Sequence, residues 1–224
     1  MTVIEHEVRN AAGMTGDART AAVSNQQSLI IGNEVRQWIK EGRVFQGGTG
    51  VLSTPEAENA TALTRQQPNF MVRVPASMVI IPVFGLIAPE ATGAAVYEVL
   101  ISCCNNDPGT ANRTAIEPVN VNTRYSLASS RVLAYKTDAG ASGTAPTGVA
   151  DLLRLYNQAD FDAITGAPTP PTIYSPRHGL GQECVIGNGS SVNAFMAHFN
   201  VGTSATFFSI FTWAEFTYAE YYGA

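Results

Sequence analysis

The sequence predicts a mainly β protein, an antiparallel β-sandwich that is jelly-roll-like, with an extended N-terminal arm and one short helix. Three observations carry this expectation. After residue 45 the apolar residues recur in short runs with a period of two, clusters of Gly, Pro and Asn punctuate those runs, and a helical period is almost absent. Strand and helix patterns do not alternate, and no G-x-G-x-x-G follows a strand, which removes the doubly wound nucleotide-binding folds. Short strands so punctuated are what a two-sheet antiparallel domain requires.

Residues 1–25 are small, polar and aperiodic, the composition of an arm that gains order by lying on something else. From Gln26 to Gly42 the pattern changes. Leu29, Ile30, Val35, Trp38 and Ile39 fall on a roughly helical spacing and Gly42 is suited to end a helix, so a short helix is expected within residues 26–41. Ile30-Ile31 before Gly32 also suits a strand. The stretch Phe45 to Pro68 holds three glycines and two prolines without a sustained period and reads as a connector. This divides the chain into an arm and connector over residues 1–65 and a sandwich over residues 66–224.

Strand patterns follow at Asn69 to Val74, at Met78 to Leu86, and at Ala95 to Cys104, where Tyr97, Val99, Ile101 and Cys103 share one face while Glu98 and Ser102 take the other. The turn formers Asn105 to Gly109 lead to Thr114–Val119, Val121–Tyr125 and a strand pattern at Ser130 to Lys136. Thr137 to Thr147 reads as a long surface loop or subunit contact, and Val149 to Tyr156 suits either a helical turn or a strand. Thr172 to Tyr174 and Gln182 to Ile186 are short strand candidates. Val192 to Val201 places Phe195, Ala197, Phe199 and Val201 on an apolar face, with Ala194, Met196, His198 and Asn200 opposite, on a solvent or interface face. Thr206 to Tyr222 carries eight aromatic residues. Phe208 and Ile210 fall on one face, Phe211 and Trp213 on the other, and Phe216 and Tyr218 on the first again, which predicts a bulge or cover on both faces.

The 224 residues are 45% apolar, enough for a sizeable core, and only 14% charged against roughly 25% in ordinary soluble domains. The exterior must therefore be small and polar or covered by other chains. A net charge of -5 argues against a surface that collects nucleic-acid phosphates. Arg outnumbers Lys eleven to two, and the planar, weakly hydrated guanidinium suits subunit contacts. Met78 to Ala88, the most apolar window, is too short to span a bilayer, and the first residues lack the basic start and apolar run of a secretory signal. Cys103, Cys104 and Cys184 form neither a CxxC pair nor an even set, so a reducing compartment and inert thiols are expected.

Candidates for chemistry are sparse. A hydrolytic triad has its nearest candidates in Ser190, Ser191 and Cys184 together with the histidines His6, His178 and His198, but G-x-S-x-G is absent and the serines read as turn residues. His178, Cys184 and His198 include no H-x-H pair, so no metal centre is assigned and no cofactor is expected. Glu98, Glu117, Glu183, Glu215 and Glu220 lie in or near strands and leave room for a facing carboxylate pair. Trp213, Tyr218, Tyr221 and Tyr222 supply rings for a sugar platform, though the strand pattern around them better suits core and interface filling. The chain is therefore read as a non-enzyme with no catalytic, cofactor or metal residues.

The segment ANRTAIEPVNVNTRYSLASSRVLAY, followed by SPRHGLGQECVIGNGSSVNAFMAHFNV and by FSIFTWAEF, resembles a pattern of tailed-bacteriophage virion proteins. The resemblance covers roughly residues 70–222 and carries no catalytic residue. It implies a jelly-roll-like structural subunit of head or tail, a trimeric capsid decoration (cement) protein, with head fibres and receptor-binding tips as close relatives. The expected partners are further copies of the chain, through Val192–Val201 and Thr206–Tyr222, and the major capsid protein or other virion proteins. No membrane or nucleic acid is expected among them. Residues 1–65 would fasten the subunit to the lattice, and the chain would be made in the host cytoplasm and reside in the virion. The alternative is a glycan- or receptor-binding module of a fibre or tail.

Overall fold

The computed structural model describes residues 5–6, 19–20, 34–51, 53–57, 63–91, 96–125, 128–137, 143–158, 171–176, 184–200 and 206–223. Two short strands, β1 (Glu5–His6) and β2 (Arg19–Thr20), pair within the N-terminal segment. Helix α1 (Glu34–Lys40) precedes β3 (Val44–Thr49) and β4 (Glu56–Ala57). Then come β5 (Phe70–Val74), β6 (Met78–Ala91), β7 (Val96–Cys104), β8 (Arg113–Ile116) and β9 (Val119–Asn120). The chain continues through β10 (Leu133–Thr137), β11 (Ala150–Gln158), β12 (Thr172–Tyr174), β13 (Asn193–Asn200), β14 (Thr206–Thr217) and helix α2 (Tyr218–Tyr222).

The strands form two antiparallel sheets packed as a sandwich. The first has the order β11-β7-β13-β5-β10-β8, and the second β12-β6-β14-β3-β9 with β4 also paired to β14. In both sheets a late strand lies between early ones: β13 separates β7 from β5, and β14 separates β6 from β3. Such long-range insertions mark a Greek-key class of sandwich.

Aromatic rings from both sheets fill the interior. Phe70 of β5 stacks on Phe211 of β14 with centroids 4.7 Å apart, Phe195 of β13 meets Phe211 edge-on at 5.6 Å, and Phe199 lies 5.0 Å from Phe207. Each such pair contributes roughly 0.5–1.5 kcal/mol beyond simple burial. β14 supplies Phe207, Phe211 and Trp213 to this core from one continuous face. Its inward-facing residues keep one parity, and both features that the sequence pattern allows, a bulge and cover on both faces, are present. The irregularities lie in its pairing with β6, at Thr206/Phe207 and Thr212/Trp213, and cover on both faces is confined to Trp213, Ala214 and Glu215.

The expected strands are present at Phe70–Val74, Met78–Ala91, Val96–Cys104, Leu133–Thr137, Thr172–Tyr174 and Asn193–Asn200, and the undecided segment after Val149 is strand β11. Of the strand expected over Gln182 to Ile186, residues 182–183 lie outside the described residues, and Ile186 forms an isolated bridge to Ile80. The helix begins at Glu34, and residues 26–33 of its expected span lie outside the described residues. It ends as the sequence indicates. Gly42, at φ 71°, donates to the Ile39 carbonyl and Arg43 donates to the Trp38 carbonyl, the paired bonds of a Schellman motif.

Two expectations are corrected. The supposed connector after Phe45 contains β3, which pairs with β14 from Thr49↔Ser209 to Val44↔Ala214, so sandwich structure begins well before residue 66. Gly48 opposes Ile210 there, and a Cβ on it would overlap the Ser209 carbonyl oxygen. The second correction concerns β13. It lies in the middle of its sheet and is buried on both faces, because the segment around Leu63–Gln67 and the loops near Asp107 and Arg113 cover the outer side. His198 is consequently 2% exposed and not on a solvent face, and β13 offers no surface for subunit association.

Candidate functional site

A polar cleft of about 230 Å³ opens where the end of α1, the start of β3, the end of β14 and the loop Ala128–Arg131 converge. Its walls include Glu41, Arg43, Ser129, Arg131, Glu215 and Glu220. The turn after α1 delivers Arg43, whose Nε bonds Glu41 at 2.9 Å and whose terminal nitrogens reach Glu220 at 3.2 and 3.3 Å. The same guanidinium lies 5.2 Å from the Phe216 ring centroid. Glu220 belongs to a capping box at the start of α2, accepting from the Thr217 backbone while the Thr217 hydroxyl accepts from the Glu220 N–H. The Arg43 guanidinium and the Thr217 donors hold its carboxyl down at about 2.

Glu215 is the buried member of this group. Burial pushes its carboxyl up, and three donors oppose that: the Ser130 hydroxyl, the Arg131 N–H at 2.8 Å and the Trp213 Nε1–H at 2.9 Å. Glu215 and Glu220 thus do share a cleft, the arrangement that a carboxylate pair would need. Their oxygens, however, are already engaged by groups that fix the fold: Glu215 ties the 128–131 loop to β14, and Glu220 ties α2 to the turn between α1 and β3. Acid–base chemistry at a sugar needs one carboxyl free to protonate a leaving oxygen and another free for a nucleophilic or base role. Glu98 is paired with Arg154 at 2.7 Å, Glu117 is exposed near β8, and Glu183 lies outside the described residues.

His198 sits on the outer face of the first sheet beneath the Arg65–Asp151 ion pair. Neither ring nitrogen has a well-formed hydrogen bond from a protein group. Burial first, then the nearby Arg65 and Arg113 charges, lower it to about 3, against small opposing effects from the Gln67 backbone and Asp151. A neutral, covered imidazole of this kind neither meets substrate nor activates a hydroxyl. Cys184 packs on the opposite, inner side of that sheet, so His198 and Cys184 do not join in a metal site. His178 lies outside the described residues, as does the side chain of His6. Among the described residues no group of three metal-ligating side chains converges. Ser190 and Ser191 are turn residues, with both backbone N–H groups donating to Asn188 Oδ1 at 3.0 and 2.9 Å.

The aromatic candidates divide by depth. Trp213 is 1% exposed and belongs to the core, so it cannot present a face to a sugar. Tyr221 and Tyr222 of α2 are exposed and lie edge to face at 4.9 Å, with the Tyr218 ring tilted against Tyr222 at 4.7 Å. On the outer side of the second sheet a different apolar feature crosses three strands: Ile173 of β12 opposes Leu86 of β6, which opposes Ile210 of β14. Ile173 is 58% exposed and Ile210 40%. Leu86 between them is half-buried, and this cross-strand row was not legible as a surface feature in the sequence, because each residue alone reads as one more strand position. Comparison with known protein families, characterised proteins and solved structures finds no match to this chain.

Proposed function

We propose that the chain is a non-enzymatic structural subunit of a tailed-phage virion, a capsid decoration protein that stabilises the head by lattice contacts. The row of exposed Ile173 and Ile210 flanking half-buried Leu86 carries this reading, since it supplies an apolar surface on a sheet that a further copy or a capsid neighbour would cover. The engagement of Glu215 and Glu220 in the fold, and the resemblance over residues 70–222, support it. The N-terminal segment before α1 is the proposed fastening arm, narrower than residues 1–65 because β3 and β4 belong to the sandwich. Light scattering coupled to size-exclusion chromatography is expected to give about three times 23.8 kDa, and added protein is expected to raise the temperature at which undecorated heads release DNA. A monomer at all concentrations that leaves head stability unchanged would refute the proposal.

One observation favours a second reading, a glycan-binding module of a fibre or tail. The exposed Tyr221–Tyr222 pair beside Arg43 and Glu41 combines aromatic faces with polar groups, as sugar recognition requires. Glycan-array binding abolished by Tyr222→Ala, with an unchanged circular dichroism spectrum, would place this reading first.

A further inference from the structure

His198 lies beneath a short strap of chain. Residues 63–67, ahead of β5, belong to none of the described sheet ladders and turn back on themselves, with the Gln67 N–H donating to the Thr64 carbonyl at 2.9 Å. They cross the outer face of the first sheet, where Leu63, Thr64, Gln67, Asn69 and His198 line a cavity of only about 10 Å³. Two ties hold the strap down. The Arg65 guanidinium grips both carboxylate oxygens of Asp151 on β11 at 2.5 and 2.8 Å, and the Arg113 guanidinium of β8 donates to the Gln66 carbonyl at 3.2 Å. The imidazole underneath is buried, and neither ring nitrogen has a well-formed hydrogen bond from a protein group.

We infer that residues 63–67 form an acid-released strap, which a proton taken up by His198 frees from the sheet so that the outer face of β13 is uncovered. A cavity this small has no room for the hydration shell of an imidazolium, and the closed fold gives the charged ring no well-formed acceptor in its place. The charges that face the ring do not compensate. Arg65 on the strap and Arg113 on β8 repel a proton there, while Asp151 on β11, which attracts one, is already committed to Arg65. Glu98 of β7 and Arg154 of β11 share this face of the sheet and are paired with each other at 2.7 Å. Lifting the strap carries Arg65 away and admits water, so the open form accepts the proton that the closed form refuses.

The direction follows from linkage. The covered imidazole titrates at about 3 against an ordinary 6.5, so as pH falls below 6.5 the open form binds its proton first. The opening equilibrium should rise about tenfold per pH unit below that point, reaching about a hundredfold at pH 4.5. The tie itself does not titrate in this window, because the Arg65 guanidinium holds the Asp151 carboxyl below its ordinary value. Breaking both ties keeps the open form scarce at neutral pH. The opening is local, since β13 stays bonded to β5 on one side and β7 on the other.

Hydrogen exchange of the full chain, read by mass spectrometry at pH 7.5 and 4.5, tests this, with the parent chain and His198→Leu compared at each pH so that intrinsic exchange rates cancel. The probe is the Gln67 amide, whose turn bond to Thr64 does not persist once the turn is detached from the sheet. Its exchange in the parent relative to the variant should rise about a hundredfold between the two pH values, while peptides from β5, β7 and β13 keep their protection. Arg65→Met, which cuts the main tie and keeps the imidazole, should speed exchange of the same amide at pH 7.5 and retain the further increase in acid. His198→Gln carries the same expectation as His198→Leu if the latter does not fold. A parent-to-variant ratio that is equal at both pH values, or protection lost from β7 and β13 together with residues 63–67, would overturn the inference.

Discussion

Glu215 receives hydrogen bonds from the Ser130 hydroxyl, the Arg131 backbone and the Trp213 indole, so a single buried carboxylate joins a loop to two positions of β14. Glu215→Gln replaces one acceptor oxygen by a donor that faces other donors. It should cost about 1–3 kcal/mol in urea unfolding, mostly from groups left unpaired. His198 presents the opposite case, a buried polar ring without well-formed partners. Its value of about 3 in the fold lies below the ordinary value of 6.5, so the unfolded chain binds the extra proton first. Its contribution to stability is complete above pH 6.5 and is lost as pH falls from 6.5 toward 3. Arg65 and Arg113 facing the ring oppose its charging, and Asp151 favours it. His198→Leu should therefore flatten the decline in stability across that window, read as the difference in urea midpoint from the parent chain at each pH, and should leave neutral-pH stability equal or higher. A parallel decline in both proteins would reject this account. Strand parity correctly put His198 opposite Phe199, but parity reports a face and not what lies on top of it.

β3 was hidden at sequence level because its Gly47-Gly48 pair lowers strand propensity and mimics a linker. The glycines are there for contact: Gly48 lies under the Ser209 backbone, and Gly47 lies under the Trp213 ring. Gly48→Val should push β3 off β14 and lower Tm by several degrees, with the loss of amide protection in hydrogen exchange centred on residues 44–49. Protection lost elsewhere first would contradict the close-packing explanation. The long strands β6, β7, β13 and β14 were readable because alternation over eight or more residues has few competing explanations. Helix α1 was likewise readable from Trp38, Ile39 and Gly42, and the T-shaped contact of Trp38 with Phe216 at 5.4 Å shows which face it turns to the sandwich.

At the scale of the whole molecule, the aromatic density of Thr206–Tyr222 turns out to serve the chain's own core first. Phe207, Phe211 and Trp213 are sealed between the sheets, so the case for association passes to Ile173 and Ile210 on the outer face. Ile173→Lys with Ile210→Lys should convert the expected oligomer to a monomer without lowering Tm by more than a few degrees, since neither residue belongs to the core. An unchanged oligomer would move the interface elsewhere. The sandwich class, the places of its principal strands and the helix end at Gly42 are legible in the amino-acid order, because period, turn chemistry and caps are local properties of the chain. The place of β3 inside a sheet, the cover over His198 and the shared cleft of Glu215 and Glu220 come instead from the three-dimensional arrangement. Each of those depends on which distant segments the antiparallel ladders bring together, and strand order leaves almost no trace in local composition.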